Sequence, residues 1–325
     1  MIFVTGATGF LGKTLVTYLR QQGYAVRILA RPSSDVSFFQ AMPEVEITLG
    51  DVLDAESVQQ GMRGCSIVVH AAARFRFWGA EAVFEATNVS GTANVLQAAV
   101  ATGVERFIYI STIAVAGNLR PHTLIDETIQ PNPVDPYQKT KLQAEQLVQQ
   151  FQAEYGLNSI ILRLGALYGP YGRYAFNRLF FEEFLRGWRI QVAGGRHITF
   201  PCYVQDAAAG IEAAIQLGKA GEIYNIAGAC VSHQELNQLV GQLARKPSWR
   251  LNLPKWMMIG TAALMEYWAT FTGKEPFYPL NLQWYVFQDW VVDSQKAQRC
   301  LNFKATPLET GIRETLAWYQ SLGLD

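Results

Sequence analysis

The sequence lacks several features that would restrict its function. Its 27 basic and 27 acidic residues give zero net charge, so overall charge favours neither nucleic acid nor an anionic membrane as a partner. Its four cysteines lack CxxC spacing or a histidine cluster, which predicts reduced thiols in a cytoplasmic protein and no metal site. The chain has no low-complexity run, internal repeat or recognisable signal peptide, and at 325 residues it suits one large α/β domain or two interlocked ones.

The strongest pattern lies in the first twelve residues. Residues 2–4 predict a buried strand, a helical pattern begins at Leu11, and Gly6, Gly9 and Gly12 mark the connection. Gly6 permits a tight turn, Gly9 lets the backbone approach a phosphate, and Gly12 lets the helix pack close to the strand. The helix N-terminus adds backbone donors and a positive dipole end. We therefore predict a dinucleotide-pyrophosphate site, with a ligand-free glycine turn as the alternative.

The next two strands bear on the choice of cofactor. The strand predicted at 25–30 is followed by Arg31, Ser33 and Ser34, where an acidic residue would favour NAD by accepting from the adenosine 2′-hydroxyl. A guanidinium with two hydroxyls suits a 2′-phosphate instead, so we expect NADP(H), with NAD(H) as the alternative. After the strand at 46–49, Asp51 is expected to accept from the adenine amino group and Val52 to pack on the ring. A turn or N-cap role for Asp51 is the alternative.

The fourth predicted strand, 66–70, ends where a cofactor could lie against the backbone. Small residues follow it and leave room there: Ala71, Ala72 and Ala73. His70 is expected to be a satisfied strand-end histidine. The aromatic segment 74–79 predicts either a binding rim or packing onto a second domain. In the helix predicted at 81–102, Asn88 is a poor interior residue and is expected to hold a backbone or cofactor group.

The candidate catalytic residues follow the fifth predicted strand, 106–110. Asp135 is a good N-cap and Pro136 a good first residue for a helix in which Tyr137 and Lys141 share one face. A cation beside Tyr137 would lower its pKa from about 10 and make it a general acid or base near neutral pH. Lys141 could also bond the nicotinamide ribose. A hydroxyl from Thr112 or Ser111 could hold the substrate oxygen.

Several motifs together resemble the extended short-chain dehydrogenase/reductases along essentially the whole chain. They lie at residues 5–12, 50–52, 88–92, 110–117 and 137–141. The resemblance implies a Rossmann-like doubly wound parallel sheet and a catalytic Thr112–Tyr137–Lys141 set, with Ser111 supporting the strand end. It also implies a backbone amide near residues 163–165 that holds the nicotinamide carboxamide. The implied cofactor-binding residues are Gly6, Thr8, Gly9, Phe10, Leu11, Arg31, Ser33, Ser34, Asp51, Val52, Ala71, Ala72, Ala73, Asn88, Ile110, Tyr137, Lys141, Leu164, Gly165 and Leu167.

The second half predicts a smaller, mostly helical substrate domain. We assign 1–168 to the dinucleotide-binding domain, with 199–227 returning to it, and 169–198 and 228–325 to the substrate-binding domain. Residues 171–188 read as an aromatic helix suited to a substrate wall. The aromatic residues from 251 onward suggest a hydrophobic substrate, with packing of the domain as the alternative. The apolar stretch 256–272 carries Glu266 and is expected to form a buried or surface-packed helix, ahead of peripheral membrane contact or a substrate lid.

Two features of the resemblance bear on the substrate. The tail, 293–318, resembles the 3β-hydroxysteroid dehydrogenase and dihydroflavonol reductase-like branch, which handles flat or hydrophobic carbonyls and alcohols. Sugar-nucleotide members generally carry an arginine where this chain has Thr199. We expect an NADP(H)-dependent oxidoreductase for a hydrophobic ketone or secondary alcohol. The alternatives are a nucleoside-diphosphate-sugar epimerase or dehydratase and a cofactor-sensing binding protein. The helices at 81–102 and 137–155 could pair in a homodimer.

Overall fold

A parallel sheet of seven strands forms the centre of the computed structural model, which describes residues 1–324. In chain order, strands β1 to β7 are Ile2–Thr5, Val26–Ala30, Val45–Leu49, Ile67–His70, Arg106–Thr112, Ser159–Leu164 and Ile223–Ile226. Across the sheet they lie in the order β7, β6, β5, β4, β1, β2, β3. The winding reverses between β1 and β4, which confirms the predicted doubly wound α/β fold. Ligands of such sheets bind outside the carboxyl ends of the strands at this switch point.

Helices cover both faces of the sheet. On one face, residues of Phe10–Gln21 and Val204–Leu217 are packed against the strands, and on the other face residues of Ala55–Met62, Gly91–Ala101 and Pro136–Tyr155. The other α-helices are Ser37–Gln40, Glu81–Glu85, Glu183–Leu185, His233–Leu243, Lys255–Thr272, Gln283–Val286, Gln295–Leu301 and Leu308–Ser321. Short 3-10 segments lie at Ile113–Ala116, Ala193–Gly195 and Leu280–Leu282. This layering follows from the buried central strands, such as β1, β5 and β6, whose two apolar faces both need covering, whereas the edge strand β3 is partly exposed.

Two helical predictions need correction. The helix predicted at 81–102 is interrupted by a π-helical segment, Ala86–Ser90, which contains Asn88. The aromatic helix predicted at 171–188 is shorter, with regular segments only at Arg178–Glu182, which is π-helical, and Glu183–Leu185. Gly172 lies in the loop ahead of the helix. It packs closely against the Asn177 side chain, because a Cβ on Gly172 would lie 2.5 Å from Nδ2 of Asn177.

Smaller strand pairs shape the rest of the chain. Ala166–Tyr168 pairs with Pro201–Tyr203, and Ile190–Val192 with Leu251–Leu253, both in parallel. Leu124–Ile125 pairs with Val291–Val292, and Ile198–Thr199 with Val231–Ser232. The return of the chain to the main sheet is made by β7, as expected for a strand near residues 222–227. The assignment of two domains stays a prediction.

The helix Lys255–Thr272 is packed on the surface of the molecule, which is one of the two arrangements expected for the apolar stretch 256–272. Only Ala262 and Ala269 are buried in it, while Trp256 and Trp268 are exposed. No helix within residues 1–324 is both long enough and apolar enough to cross a bilayer.

Candidate active site

The glycine turn after β1 has the backbone geometry that a bound pyrophosphate requires. Gly6 has φ of +74°, and a Cβ there would lie 2.6 Å from the carbonyl carbon of Ala71. A Cβ on Gly12 would lie 2.4 Å from Cα of Ala7, so Gly12 packs against the turn itself rather than against β1. Gly9 is exposed and is the N-cap of the helix Phe10–Gln21, which has no side-chain cap. The amides of the first helical turn are therefore available to an anion.

The opposite side of this crevice is the chain that leaves β4. The Ala71 amide donates to the Thr5 carbonyl at 3.3 Å and the Ala72 amide to the Thr5 hydroxyl at 3.2 Å. His70 bonds Thr5 Oγ1 at 2.7 Å and Thr92 Oγ1 at 3.0 Å, and burial lowers its pKa to about 3. His70 is thus a neutral, hydrogen-bonded residue of the sheet, as expected. Ala71 and Ala72 are half-buried and Ala73 is exposed, next to the crevice.

The candidate catalytic helix, Pro136–Tyr155, carries Tyr137 and Lys141. It begins one residue before Tyr137, with the cap that the sequence predicts. Asp135 caps it by accepting from the Gln138 amide at 2.8 Å, and Pro136 is the first helical residue. The other carboxylate oxygen of Asp135 accepts from the Tyr285 hydroxyl at 2.7 Å. The N-terminus of this helix is therefore bonded to the C-terminal part of the chain, which fixes the position of Tyr137.

Tyr137 lies beside Thr112, but its ionisation differs from the expectation. Burial raises the pKa of Tyr137, the Asp135 carboxylate raises it further, and a hydrogen bond with Thr112 opposes both. The prediction that a neighbouring cation lowers this pKa is wrong for this arrangement, because burial is the dominant cause. Tyr137 is consequently a neutral phenol at neutral pH, with a proton to donate. The Thr112 hydroxyl also accepts from the Ala114 amide at 3.2 Å.

Lys141 faces the sheet below Tyr137. Its ammonium donates to the carbonyl of Ile110 at 2.6 Å and lies 4.1 Å from the ring centre of Tyr109. Burial lowers the pKa of Lys141 to about 7, and the charge of Glu145 acts in the opposite direction. The structure thus brings Thr112, Tyr137 and Lys141 together at the carboxyl end of β5. The hydrogen bond of the Lys141 ammonium is to the backbone carbonyl of Ile110.

A buried charge network supports this group and was missed by the sequence analysis. Glu145 accepts from Ser111 Oγ at 2.5 Å and pairs with Arg163 at 2.7 Å, with each side chain almost fully buried. Ser111 therefore supports the strand end, as the resemblance implies. A carboxylate four residues after Lys141, on the same helix face, was the signal available in the sequence. The network connects β5, β6 and the catalytic helix directly beneath the site.

Asn88 holds the backbone next to the site. Its Oδ1 accepts from the Arg74 amide at 2.7 Å, and its Nδ2 donates to the Arg74 carbonyl at 3.2 Å and to Thr140 Oγ1 at 3.0 Å. The π-helical segment turns this buried side chain towards both neighbours. Asn88 thus joins the chain after β4 to the catalytic helix, which satisfies the expectation of a bound backbone group.

Residues 74–79 combine the two roles that the sequence left open. Phe75 lies against Tyr137 with ring centres 4.7 Å apart, and Phe77 is buried against Tyr285 at 4.9 Å. The Phe77 amide donates to the Tyr174 hydroxyl at 2.9 Å. The segment is therefore packed onto the C-terminal part of the chain and at the same time covers Tyr137, the candidate catalytic residue, with an aromatic ring.

The predicted cofactor residues Leu164, Gly165 and Leu167 lie at the end of β6 and in the segment that follows it. Gly165 needs to be glycine, because a Cβ would lie 2.6 Å from the Phe200 carbonyl, but its amide already donates to Ile226 at 2.9 Å. The Gly165 amide is therefore engaged in the sheet, and which backbone amide of this segment holds a nicotinamide carboxamide stays a prediction. Leu164 is buried in β6 and Leu167 is half-buried.

The residues predicted to bind the adenosine part of the cofactor lie largely in contact with solvent. Arg31 and Ser33 are exposed and Ser34 is half-buried, in a turn closed by the Ser34 amide and the Arg31 carbonyl at 2.8 Å. Asp51 accepts from the Leu53 amide at 3.0 Å, which is the turn role given as its alternative, and Val52 is buried. The half-buried Thr8, Phe10 and Leu11 lie in the turn and the first helical turn. The adenine contacts stay predictions.

A cavity of about 90 Å³ borders the buried cluster to which Phe77 belongs. Leu282 lines it and belongs to the same buried cluster as Phe77, against which Phe75 packs. Its apolar lining comprises Leu179, Phe180, Ile190, Val192, Met258, Ile259, Ala262, Pro279, Leu280, Leu282, Val286 and Phe287. Its polar lining comprises Glu183, His233, Asn237, Tyr278 and Gln283. Burial lowers the pKa of His233 to about 4 and raises that of Glu183, so this lining carries no positive charge at neutral pH.

A doubly wound sheet with an open glycine turn at its switch point and a Thr–Tyr–Lys group beside it defines a nicotinamide-dependent oxidoreductase. Residues 2–227 match the model of the NAD dependent epimerase/dehydratase family. The chain therefore belongs to that family, within the extended short-chain dehydrogenase/reductases, whose members are NAD(P)-dependent enzymes acting on CH–OH groups.

Individual relatives cover different chemistries. A ketoreductase of 4-hydroxy-2-methyl-3-oxo-4-farnesyl-3,4-dihydroquinoline-1-oxide from Stigmatella aurantiaca is 34% identical over 228 residues, 68% of this chain and 66% of its own length. A dTDP-glucose 4,6-dehydratase from Streptomyces griseus is 30% identical over 337 residues, covering 98% of this chain and 93% of the relative. The crystal structure of gox2253 superposes with a TM-score of 0.84 at 27% identity, covering 99% of this chain and 98% of the other.

Proposed function

We propose that this protein is an NADPH-dependent ketoreductase that reduces a hydrophobic ketone to a secondary alcohol. The observation that carries the proposal is the neutral phenol of Tyr137, which has Thr112 on one side and the aromatic cover of Phe75 on the other. A neutral phenol is the form that donates a proton to a carbonyl oxygen, as reduction requires. The direction of reaction is part of the proposal.

The residues present fit a dinucleotide. The backbone amides after Gly9 would hold the pyrophosphate. The close packing of Gly6 on Ala71 would let the backbone of the turn lie close to the pyrophosphate. When bound, the nicotinamide cofactor supplies the hydride. Arg31 and the hydroxyls of Ser33 and Ser34 would bind a 2′-phosphate, which is the basis for preferring NADPH.

The chain's own residues control the proton. Tyr137 Oη would donate its proton to the substrate oxygen, and the Thr112 hydroxyl would bond that same oxygen where negative charge develops. Lys141, whose ammonium donates to the Ile110 carbonyl near the carboxyl end of β5, would bond ribose hydroxyls or restore a proton to Tyr137. Phe75 lies against the phenol ring and reduces its exposure to water, which would strengthen these hydrogen bonds.

The cavity supports a hydrophobic substrate over a sugar nucleotide. Its lining is predominantly apolar and includes no lysine or arginine, whereas a diphosphate needs cations or amides to replace its hydration. Thr199 is buried at the position where an arginine is usual among sugar-nucleotide members. The ketoreductase from Stigmatella aurantiaca, whose named substrate carries a farnesyl group, also favours this choice.

The experiment compares two substrate classes on the same purified protein. NADPH oxidation is measured with ketones of increasing apolar size, and binding of nucleoside-diphosphate sugars is measured by calorimetry. We expect reduction to improve with apolar size and no heat from the sugar nucleotides. Tight sugar-nucleotide binding without ketone reduction would contradict the proposal and favour the epimerase or dehydratase alternative.

Cofactor choice is tested by replacing Arg31 with alanine. Loss of a guanidinium that binds a 2′-phosphate should raise the KM for NADPH by about tenfold or more and leave the KM for NADH unchanged. Equal changes for both cofactors would show that Arg31 does not recognise the phosphate.

A further inference from the structure

The outer face of the helix Lys255–Thr272 is an unusually exposed aromatic surface. Trp256, Leu264, Tyr267, Trp268 and Phe271 have exposed fractions of 72%, 59%, 61%, 61% and 69%. Their spacings place them on one side of the helix. Apolar residues concentrated in this way on the surface usually mark an interaction site.

The aromatic surface continues beyond the helix. Trp188 is 57% exposed, and its ring centre lies 6.2 Å from that of Phe277, five residues after the helix ends. Trp249 is 64% exposed and Leu251 is 58% exposed, in the segment that leads into the helix. The Leu251 amide donates to the Arg189 carbonyl at 2.7 Å, which joins the two tryptophan-bearing segments. We call this set of nine residues, five on the helix and four beside it, the aromatic face.

The charge around the aromatic face is positive although the whole chain is neutral. Residues 245–275 contain five basic and two acidic residues. Arg245, Lys255 and Lys274 are exposed, whereas Lys246 donates to the Leu185 carbonyl and Arg250 packs against the Phe184 ring. Both acidic residues are engaged within the protein. Glu266 accepts from the Leu280 amide at 2.7 Å, and Glu275 accepts from the Tyr174 hydroxyl at 2.5 Å and pairs with Arg76 at 3.4 Å.

We propose that the aromatic face docks onto the surface of a bilayer that contains anionic phospholipid. Tryptophan and tyrosine have apolar rings with a polar atom, which suits the headgroup region, and basic residues at both ends of the helix meet the anionic headgroups. The helix Lys255–Thr272 lies parallel to the bilayer plane in this arrangement. Docking onto a bilayer matches both the aromatic composition and the charge, whereas burial against a second copy would bring the basic residues of two chains together.

If the proposed ketone reduction is correct, docking would also bring the substrate to the cavity, and this step rests on that proposed function. The inner face of the same helix lines the cavity through Met258, Ile259 and Ala262. A hydrophobic ketone dissolved in the bilayer would therefore enter the cavity beside the helix without crossing water. The docking itself needs neither cofactor nor substrate, so its test is independent of the ketoreductase proposal.

The test is flotation of the full-length protein with lipid vesicles. We expect the wild type to float with vesicles of phosphatidylglycerol and phosphatidylcholine, and less with phosphatidylcholine alone or at high salt. Leu264→Glu should reduce the bound fraction by about tenfold or more, because it places a charge in the docked face. The matched control is Leu217→Glu, at the end of the helix Val204–Leu217, where Leu217 is 46% exposed and away from the aromatic face. It should float as the wild type does.

Two further measurements keep the outcome unambiguous. Circular dichroism confirms that each variant is folded. Brominated phosphatidylcholine, mixed with phosphatidylglycerol, should quench tryptophan fluorescence in the wild type and quench it less in Trp256→Ser combined with Trp268→Ser, which keeps only Trp188 and Trp249 in the aromatic face. Equal flotation of Leu264→Glu and wild type, or no flotation of the wild type, would overturn the proposal. A lipid-free oligomer that Leu264→Glu dissociates would overturn it too and would assign the face to self-association.

Discussion

Replacing Lys141 by methionine should remove a pH dependence from the stability of the cofactor-free protein. The ammonium of Lys141 is buried, and burial lowers its pKa from the ordinary 10.5 to about 7, against the attraction of Glu145. Methionine fills a similar volume and has no charge. The variant therefore removes the titration while keeping most of the packing.

The sign and size follow from proton linkage. Below pH 7 both the folded and the unfolded chain carry the proton on Lys141, so the full cost of the buried charge is present. Between about pH 7 and 10.5 the unfolded chain binds one more proton than the folded chain, so the free energy of unfolding rises with pH by up to about 1.4 kcal/mol per pH unit. From pH 7.5 to 9.5 the wild type should gain about 2 kcal/mol relative to Lys141→Met.

Urea unfolding across this pH range measures the difference between the two proteins. Lys139→Met, two residues away on the same helix and exposed, is the matched control and should follow the wild type. A difference between wild type and Lys141→Met that stays flat with pH, or that falls as pH rises, would refute the assignment of a lowered pKa to Lys141.

Two other variants test the framework of the site. Glu145→Ala leaves the buried Arg163 guanidinium without its partner and should lower the free energy of unfolding by about 3–5 kcal/mol. Glu145→Gln should lower it by less. Equal losses for the two variants in urea unfolding would contradict the charge argument. Gly12→Ala places a Cβ 2.3 Å from the Gly6 carbonyl oxygen and should weaken NADPH binding, measured by fluorescence titration, and cost about 1–3 kcal/mol of stability. Unchanged cofactor affinity would mean that the turn does not form the pyrophosphate site.

The main sheet could be predicted from the sequence because its strands are short apolar runs between strong turn and cap signals. Residues 2–4 and 159–164 are examples, and the cap formed by Asp135 and Pro136 located the catalytic helix to within one residue. The residues alone left Thr112 and Ser111 open, and the family resemblance, aligned on Ala116 and Gly117, implied Thr112 as the hydroxyl beside Tyr137. These features depend on local sequence, which carries its own signal.

Features that depend on burial could not be predicted in the same way. Helical spacing placed Lys141 near Tyr137, but it could not show that the Ile110 carbonyl would bind the ammonium or that burial would raise the pKa of the phenol. The π-helical segment around Asn88 has no local sequence signal. Composition alone left open whether the helix Lys255–Thr272 is buried or packed on the surface, because hydrophobicity does not say which side of a helix is covered.

The most direct measurement is single-turnover NADPH oxidation by Tyr137→Phe with the best ketone found. If Tyr137 donates the proton, loss of its hydroxyl should slow the chemical step by about 100-fold or more while the affinity for NADPH stays unchanged. A single-turnover rate equal to that of the wild type would contradict the account.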